Sequence, residues 1–522
     1  MRHPCVAARS GSTLPDMRRL WWITSVWWLA AAGPAVAGRG ELTVVATDPP
    51  ARSMAAPVLG AIAVTFDRPV DPATVTTDGL WAFGRWSGRA AGTLSVSGDG
   101  LTVTLDPDQP LSAGESVHVL LSAELAGLDG APMRPGGYAY QFWTAAAPAG
   151  LDLVEVDRLT TRTTPEESSR AYGGFAGDLD EDGWLDLTIV NEDTSDLRVF
   201  LNRADGSGLY DDFLQPTEPT GNVPSPSETG DFDRDGHTDV AVANTAGSSV
   251  SILLGNGDGT FGPHQEIALG TSARGIAVLD LDGDADLDVA ATQIGGSDLV
   301  LLFNDGDGVF GSPAPFGAGD GSPWALAAGD FTEDGILDLV VGTQGGQRAR
   351  VWAGQGDGTV ALVSDQPIGG AAWMIAAGDV DGDGHEDISA ANGSSGEGAI
   401  LLGDGAGHFG PPQEHPVDPQ VLATDLGDLD GDGDLDWITA SFFGDFTLFV
   451  NDGEGTFTFE REIPATRAAS CSLMLDMDRD GDLDLALIDE LEDEVILLHS
   501  AGGLFADGFE SGDTAAWTTT VR

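Results

Sequence analysis

Lysine is absent from this 522-residue chain: all 23 basic residues are arginine, set against 84 Asp and Glu for a net charge of -61. A surface of that sign repels phosphate backbones and anionic headgroups, which argues against nucleic acid and acidic membranes as partners. Cysteine is almost absent as well, Cys5 and Cys471 being the only two, so a disulfide framework cannot hold the fold. Nor is there an apolar run of the ~20 residues that a membrane helix needs. The run from Leu20 to Ala32 follows Arg18 and Arg19 and precedes Ala35-Val36-Ala37, a small-x-small cleavage site. It reads as a signal peptide over residues 1–37. Its removal takes Cys5 with it, leaves no transmembrane segment, and places the mature chain outside the cytoplasm, secreted or at the cell surface.

What the chain has in quantity is aspartate and glycine, in register. Despite the charge, 41% of residues are apolar, too many for a disordered acidic tail. The pattern Asp-x-Asp-x-Asp-Gly-x-x-Asp begins at Asp178, Asp231, Asp280, Asp330, Asp379, Asp428 and Asp476, at spacings of 53, 49, 50, 49, 49 and 48 residues. Each copy follows a short apolar stretch such as Ala325-Leu326-Ala327-Ala328 and precedes a β-rich one such as Leu337-Asp338-Leu339-Val340-Val341. A second apolar run and a Gly-rich turn ending in an aromatic come next, as in Gly257-Asp258-Gly259-Thr260-Phe261. Three or four short strands per period of about 50 residues is the pattern of a propeller blade. The expectation is an all-β chain, a seven-bladed β-propeller over 151–506, with the stretch from Leu151 to Leu159 in the phase of a fourth strand for the last blade. A short tail, 507–522, follows.

The loops suit calcium, which takes six to eight hard oxygens in a flexible shell. Positions 1, 3, 5 and 9 offer side-chain oxygens and position 7 its backbone carbonyl, with position 9 a candidate for bidentate binding. The first loop supplies Asp178, Asp180, Asp182, Trp184 and Asp186; the second Asp231, Asp233, Asp235, His237 and Asp239. The third supplies Asp280, Asp282, Asp284, Asp286 and Asp288; the fourth Asp330, Thr332, Asp334, Ile336 and Asp338. The fifth supplies Asp379, Asp381, Asp383, His385 and Asp387; the sixth Asp428, Asp430, Asp432, Asp434 and Asp436; the seventh Asp476, Asp478, Asp480, Asp482 and Asp484. Up to seven ions are expected. Asp and Gly also serve as plain turn residues, but 27 Asp in 28 side-chain ligand places exceed what turns require. Thr332 removes one charge from the fourth loop, and Ala285 stands at position 6 of the third, where a sharp turn favours glycine. An EF-hand would carry its bidentate Glu at position 12; the first loop has Ile189 there.

These loops, with the pairs Phe261-Gly262, Phe310-Gly311 and Phe409-Gly410, resemble the FG-GAP or VCBS repeats of integrin α-subunit propellers and of many secreted bacterial proteins. The resemblance implies a propeller with calcium between the first and second strand of each blade, and it implies no particular ligand. Residues 41–145 contain short alternating strands, such as Ile62-Ala63-Val64-Thr65-Phe66, that fit a β-sandwich. Phe66-Asp67-Arg68-Pro69-Val70, Pro110-Leu111-Ser112-Ala113-Gly114 and Tyr140-Gln141-Phe142-Trp143-Thr144 are similar to the S-layer type of bacterial Ig-like domain, which implies a spacer or adhesion module. An Ala/Pro/Gly linker, 146–150, follows.

A catalytic group is needed once, whereas residues forced by blade geometry recur. The acids here recur, and no His-Glu-x-x-His or Gly-x-Ser-x-Gly motif occurs. The chain is therefore expected to be a binding or adhesion module for an extracellular protein or glycan and not an enzyme. A polysaccharide-active enzyme and a purely structural envelope protein are the alternatives. Strand order puts the blade mouth opposite the calcium loops. Six residues before each loop stand Tyr172, Ser225, Arg274, Trp324, Trp373, Leu422 and Ser470, a register that varies from blade to blade. Arg274, Trp324 and Trp373 are candidate ligand residues, being of the types that dominate binding hot spots; the alternative is that both Trp fill the channel.

Overall fold

The computed structural model describes residues 40–295, 298–317, 319 and 321–501; the expected signal peptide and the tail 507–522 lie outside them. Among the described residues every element is a strand, and the strands form nine four-stranded antiparallel sheets.

Two sheets belong to the N-terminal part. One orders Val44–Asp48, Ile62–Phe66, Thr102–Pro107 and Gly92–Val96, the other Gly88–Arg89, Leu80–Gly84, Ser116–Leu121 and Tyr138–Trp143. Alternation along Ile62–Phe66 buries every second residue, as a half-buried strand demands. Val64, Phe66 and Val103 of the first sheet share one core with Val117, Val119 and Phe142 of the second.

The other seven sheets repeat one plan, strand next to following strand. The strand leaving each acidic loop, for example Asp186–Asn191 or Asp338–Thr343, is buried at every residue. Such a strand must be covered on both faces, which explains its unbroken apolar run. The first strands neighbour one another in sequence order, from Ala171–Gly177 to Ala469–Leu475, and the last meets the first again. The seventh sheet draws its fourth strand from Gly150–Thr160, so that Val495 faces Leu159 and Leu497 faces Asp157. This strand starts one residue inside the stretch read as linker. The architecture is all-β, with repeated four-stranded sheets consistent with a propeller.

Hydrogen bonds do the stapling that disulfides cannot. The second glycine of the turn after a third strand donates to the carbonyl at position 2 of the preceding acidic loop: Gly259 to Leu179 (2.9 Å), Gly308 to Phe232 (3.0 Å), Gly407 to Phe331 (2.9 Å). The Phe of the Phe-Gly pair packs across the same seam, Phe310 on Phe232 and Phe409 on Phe331. Asn202 Nδ2 donates to Met477 O at 2.9 Å, which joins the last loop to the first repeat.

The N-terminal sheets rest directly on the acidic loops rather than standing off as a spacer. Ala123, Ala139 and Ala147 donate backbone N–H groups to the carbonyls of Gly283, Gly335 and Gly481. Trp81 Nε1 donates to Ala285 O (3.1 Å), Arg52 Nη2 to Asp330 O (2.7 Å) and Arg89 Nη1 to Asp231 Oδ2 (2.9 Å). Trp86, Gln141 and Ala149 reach the first, fifth and sixth loops through Asp178, Glu386 and Asp430. Every acidic loop is touched.

Candidate functional site

Each acidic loop folds around its own carboxylates. The position-1 carboxylate accepts the N–H of position 6, from Gly183 to Asp178 (3.1 Å) through Gly481 to Asp476 (3.1 Å). The position-5 carboxylate accepts the N–H of position 7, as Trp184 to Asp182 and His385 to Asp383, both at 2.9 Å. This wrapping needs a left-handed residue at position 6: Gly183, Gly236, Gly335, Gly384, Gly433 and Gly481 all have φ between +74° and +99°, and Ala285 takes φ +69° despite its Cβ. The third loop thus keeps the shape of the others at the cost of local strain.

Position 9 behaves differently from the expectation. Its Oδ2 accepts the N–H of position 2 and its Oδ1 an N–H at the end of the third strand: Leu179 (3.0 Å) and Asn202 (2.8 Å) for Asp186, Phe232 and Gly255 (both 2.7 Å) for Asp239; in the fourth loop Asp338 Oδ2 takes the N–H of Thr332 at position 3 instead (2.8 Å). A bidentate grip must share both oxygens with these donors.

The loops bring together oxygens in the pattern a cation needs. Single oxygens of Asp178, Asp180 and Asp186 lie within 4.8 Å of one another, as do those of Asp231, Asp233 and Asp239, of Asp280, Asp282 and Asp288, of Asp379, Asp381 and Asp387, and of Asp428, Asp430 and Asp436. Oδ1 of Asp178, Asp379, Asp428 and Asp476 is buried with no hydrogen-bond partner. The docked N-terminal sheets and the linker residue Ala147 take the position-6 carbonyls Ala285 O, Gly335 O and Gly481 O and leave those of position 7 alone. Orphaned buried oxygens beside free carbonyls are what a hard divalent cation satisfies. Burial, reinforced by neighbouring carboxylates, pushes Asp178, Asp330 and Asp428 up to about 6 and Asp186, Asp239, Asp387, Asp436 and Asp484 up to about 8. Without a cation, burial favours the protonated form of these particular carboxyls.

The fourth loop departs from the rest. Thr332 replaces a carboxylate and its buried Oγ1 has no partner, while Arg52 of the N-terminal sheets pairs with Asp330 at 3.4 Å.

At the opposite end the variable register converges. In every repeat the first strand slips register at the variable residue: Tyr172, Trp324, Trp373, Leu422 and Ser470 each bulge singly, and Ser225 and Arg274 lie in two-residue slips. A bulge re-aims a side chain, and all of these residues except Ser225 line one cavity of about 100 Å³. Trp324 and Trp373 lie 4.3 Å apart between ring centroids. The Arg274 guanidinium sits 4.8 Å from the ring centre of Tyr172 and 5.1 Å from each Trp. Arg274 is buried, the three aromatics half-buried. In the turn joining the second and third strands of the sixth repeat, on the same face, Phe443 is 67% exposed.

Sequence reasoning missed the residues on the other side of that cavity. Arg85 enters from the N-terminal sheets and bonds Asp425 Oδ1 at 3.0 Å, stacked on Trp86 at 4.2 Å. Glu228 faces the same guanidinium, and burial pushes its carboxyl up to about 7. A second cavity of about 180 Å³ shares Arg85, Glu228 and Asp425 and continues to Phe83, His118 and Trp143. The signal was present: three residues before the acidic loops stand Ala277, Ala327 and Ala376, whereas Glu228 and Asp425 at that register break the repeat.

Comparison with known proteins follows this division. The FG-GAP-like repeat matches six times, at 178–242, 231–291, 280–341, 334–389, 379–439 and 428–487. The bacterial Ig-like domain matches residues 39–144. No curated protein matches the chain. Among solved structures, BBS1N in complex with ARL6DN is similar at 11% identity over 67% of this chain and 97% of that one, TM-score 0.48. A lectin from Agrocybe aegerita that recognises non-reducing terminal N-acetylglucosamine is similar at 18% identity over 58% of this chain and 82% of that one, TM-score 0.41.

Proposed function

Since the chain belongs to the FG-GAP-like repeat family, we propose that it is a calcium-binding, seven-bladed β-propeller that works outside the cytoplasm as an adhesion or ligand-binding module. An Ig-like β-sandwich caps its calcium rim. The ligand, an extracellular protein or glycan, is held at the opposite mouth. One observation carries this reading: the position at which each innermost strand bulges is the position whose residue type is free to differ, from Ser225 to Trp373. A scaffold that spends its geometric irregularity on its most variable side chain is displaying that side chain. The family supports a ligand-binding module, and the N-terminal sheets sit on the acidic loops, at the end away from the mouth.

The test uses the full chain loaded with calcium on arrays of purified glycans and surface proteins, with a polysaccharide depolymerisation assay on the same sample. Binding is expected, and Trp324→Ala combined with Trp373→Ala should abolish it while calcium uptake stays as in the parent. Full retention of binding assigns both Trp to filling the channel. Depolymerised product replaces the binding reading with that of a polysaccharide-active enzyme.

A further inference from the structure

The acidic loops talk to one another through two positions that the repeat leaves open. Position 4 of each loop reaches position 7 of the next. Glu181 bonds Nδ1 of His237, Arg234 pairs with Asp286, and Glu333 bonds Nδ1 of His385. Around the closure the Arg479 guanidinium of the seventh loop lies 5.3 Å from the ring centre of Trp184 in the first. These four are the loops with a side chain at position 4. The other three have Gly283, Gly382 and Gly431 there.

Those glycines decide what happens at position 7 of the following loop. After Gly283 comes Ile336, buried and apolar, which needs no partner. After Gly382 and Gly431 come Asp434 and Asp482, and Oδ1 of each is buried with no hydrogen-bond partner. Asp482 is 3% exposed. Each is repelled by its own loop, Asp434 by Asp432, Asp430 and Asp428, and Asp482 by Asp480, Asp478 and Asp476. A buried carboxylate oxygen with no partner and three like charges beside it is costly to desolvate, for the half-buried Asp434 as for the buried Asp482. The glycine at 431 is itself imposed from outside, since a Cβ there would lie 2.1 Å from Ala147 O of the segment entering from the N-terminal sheets.

We propose that Asp434 and Asp482 give side-chain carboxylates to the divalent cations of the sixth and seventh loops, which makes these the two tightest calcium sites of the ring. Loop three has the same residue in the same place, yet Arg234 neutralises Asp286, so three identical positions yield two sites of one kind and one of another. An added carboxylate raises the ligand charge count, the variable by which oxygen-ligand loops tune affinity. This inference rests on the reading of the loops as calcium sites.

Calorimetric titration of the full chain with calcium tests it. The parent should show two sites tighter than the rest. Asp434→Asn and Asp482→Asn, nearly isosteric, should each move one site out of that class by roughly tenfold or more, the scale on which ligand charge tunes such loops. Arg234→Ala should add a third tight site by releasing Asp286. Gly382→Arg, placed where the nearest neighbour of a new Cβ is Gly453 O at 3.5 Å, should weaken one. A parent that takes up no calcium overturns the reading of the loops. Calcium uptake whose site affinities are the same in the parent, Asp434→Asn and Asp482→Asn overturns only the role of these side chains.

Discussion

The two ends of the ring obey opposite rules. At the rim of acidic loops the repeats copy one another closely enough that Ala285 is held in a left-handed conformation to preserve the shape. At the mouth, one register of the same strands carries Tyr, Ser, Arg, Trp, Trp, Leu and Ser in turn. The rim folds the same hydrogen-bonded turn around its own carboxylates in each repeat, so variation there is costly. The mouth has only to close the channel and to present side chains, so variation there is cheap. The N-terminal sheets bear out the asymmetry from outside, because many of their contacts on the invariant end are to backbone carbonyls, groups every repeat must supply, with Arg89 and Gln141 adding bonds to the Asp231 and Glu386 carboxylates.

Removing the cation should break the comparison most severely. Chelation leaves 27 loop aspartates crowded at one end, and a ligand held at a thousandfold its dissociation constant contributes about 4 kcal/mol per site. EDTA should lower the melting temperature substantially and calcium restore it, with the loss appearing first as amide exchange in the loops. An unchanged melting curve after exhaustive chelation contradicts the cation reading.

Acidity should act on the rim in opposite directions with and without the ion. Carboxyls such as Asp186, Asp239, Asp387, Asp436 and Asp484 titrate near 8 in the folded chain and near about 4 when unfolded. The folded state therefore binds more protons across that interval. Calcium-free stability is full near about pH 4 and is lost as pH rises through about 8. Because calcium needs ionised ligands, the stabilisation it adds should grow over the same range. Denaturant midpoints measured at several pH values, with EDTA and with calcium, should diverge as pH rises; parallel curves contradict the burial of these groups.

Smaller effects separate the docked sheets from the rim they sit on. Arg85→Ala removes a charged hydrogen bond to Asp425, whose side chain is 6% exposed, and should cost about 1.5–3 kcal/mol. Calcium affinity should stay at the parent value, and amide exchange should quicken in residues 80–89. Smallest of all, Ala285→Gly relieves a left-handed alanine and should stabilise the chain by up to about 1 kcal/mol, read as a shift of the denaturant midpoint.

Much of this architecture was legible because a repeat is a statement the sequence makes seven times. Asp at positions 1, 3, 5 and 9 with glycine between fixes the loop, the apolar runs on either side fix the strands, and the phase of Leu151 to Leu159 anticipated its pairing with Glu494–Ala501. The acids at loop position 9 were legible as ligands but not as the backbone anchors they also are, since the donors of Asn202 and Gly255 come from another strand. Composition and period thus determine by themselves that this chain is a ring of acidic-looped β repeats: short-range pattern and charge suffice for a unit that recurs. What only the tertiary structure decided is everything that happens once. The seating of the N-terminal sheets on the loops, Arg85 between Glu228 and Asp425, the meeting of Trp324 and Trp373 in one cavity, and the split of Asp286 from Asp434 and Asp482 all depend on contacts between residues 49 to 340 positions apart. No local pattern encodes such contacts, because each is set by which blade stands beside which and by what another part of the chain leaves room for.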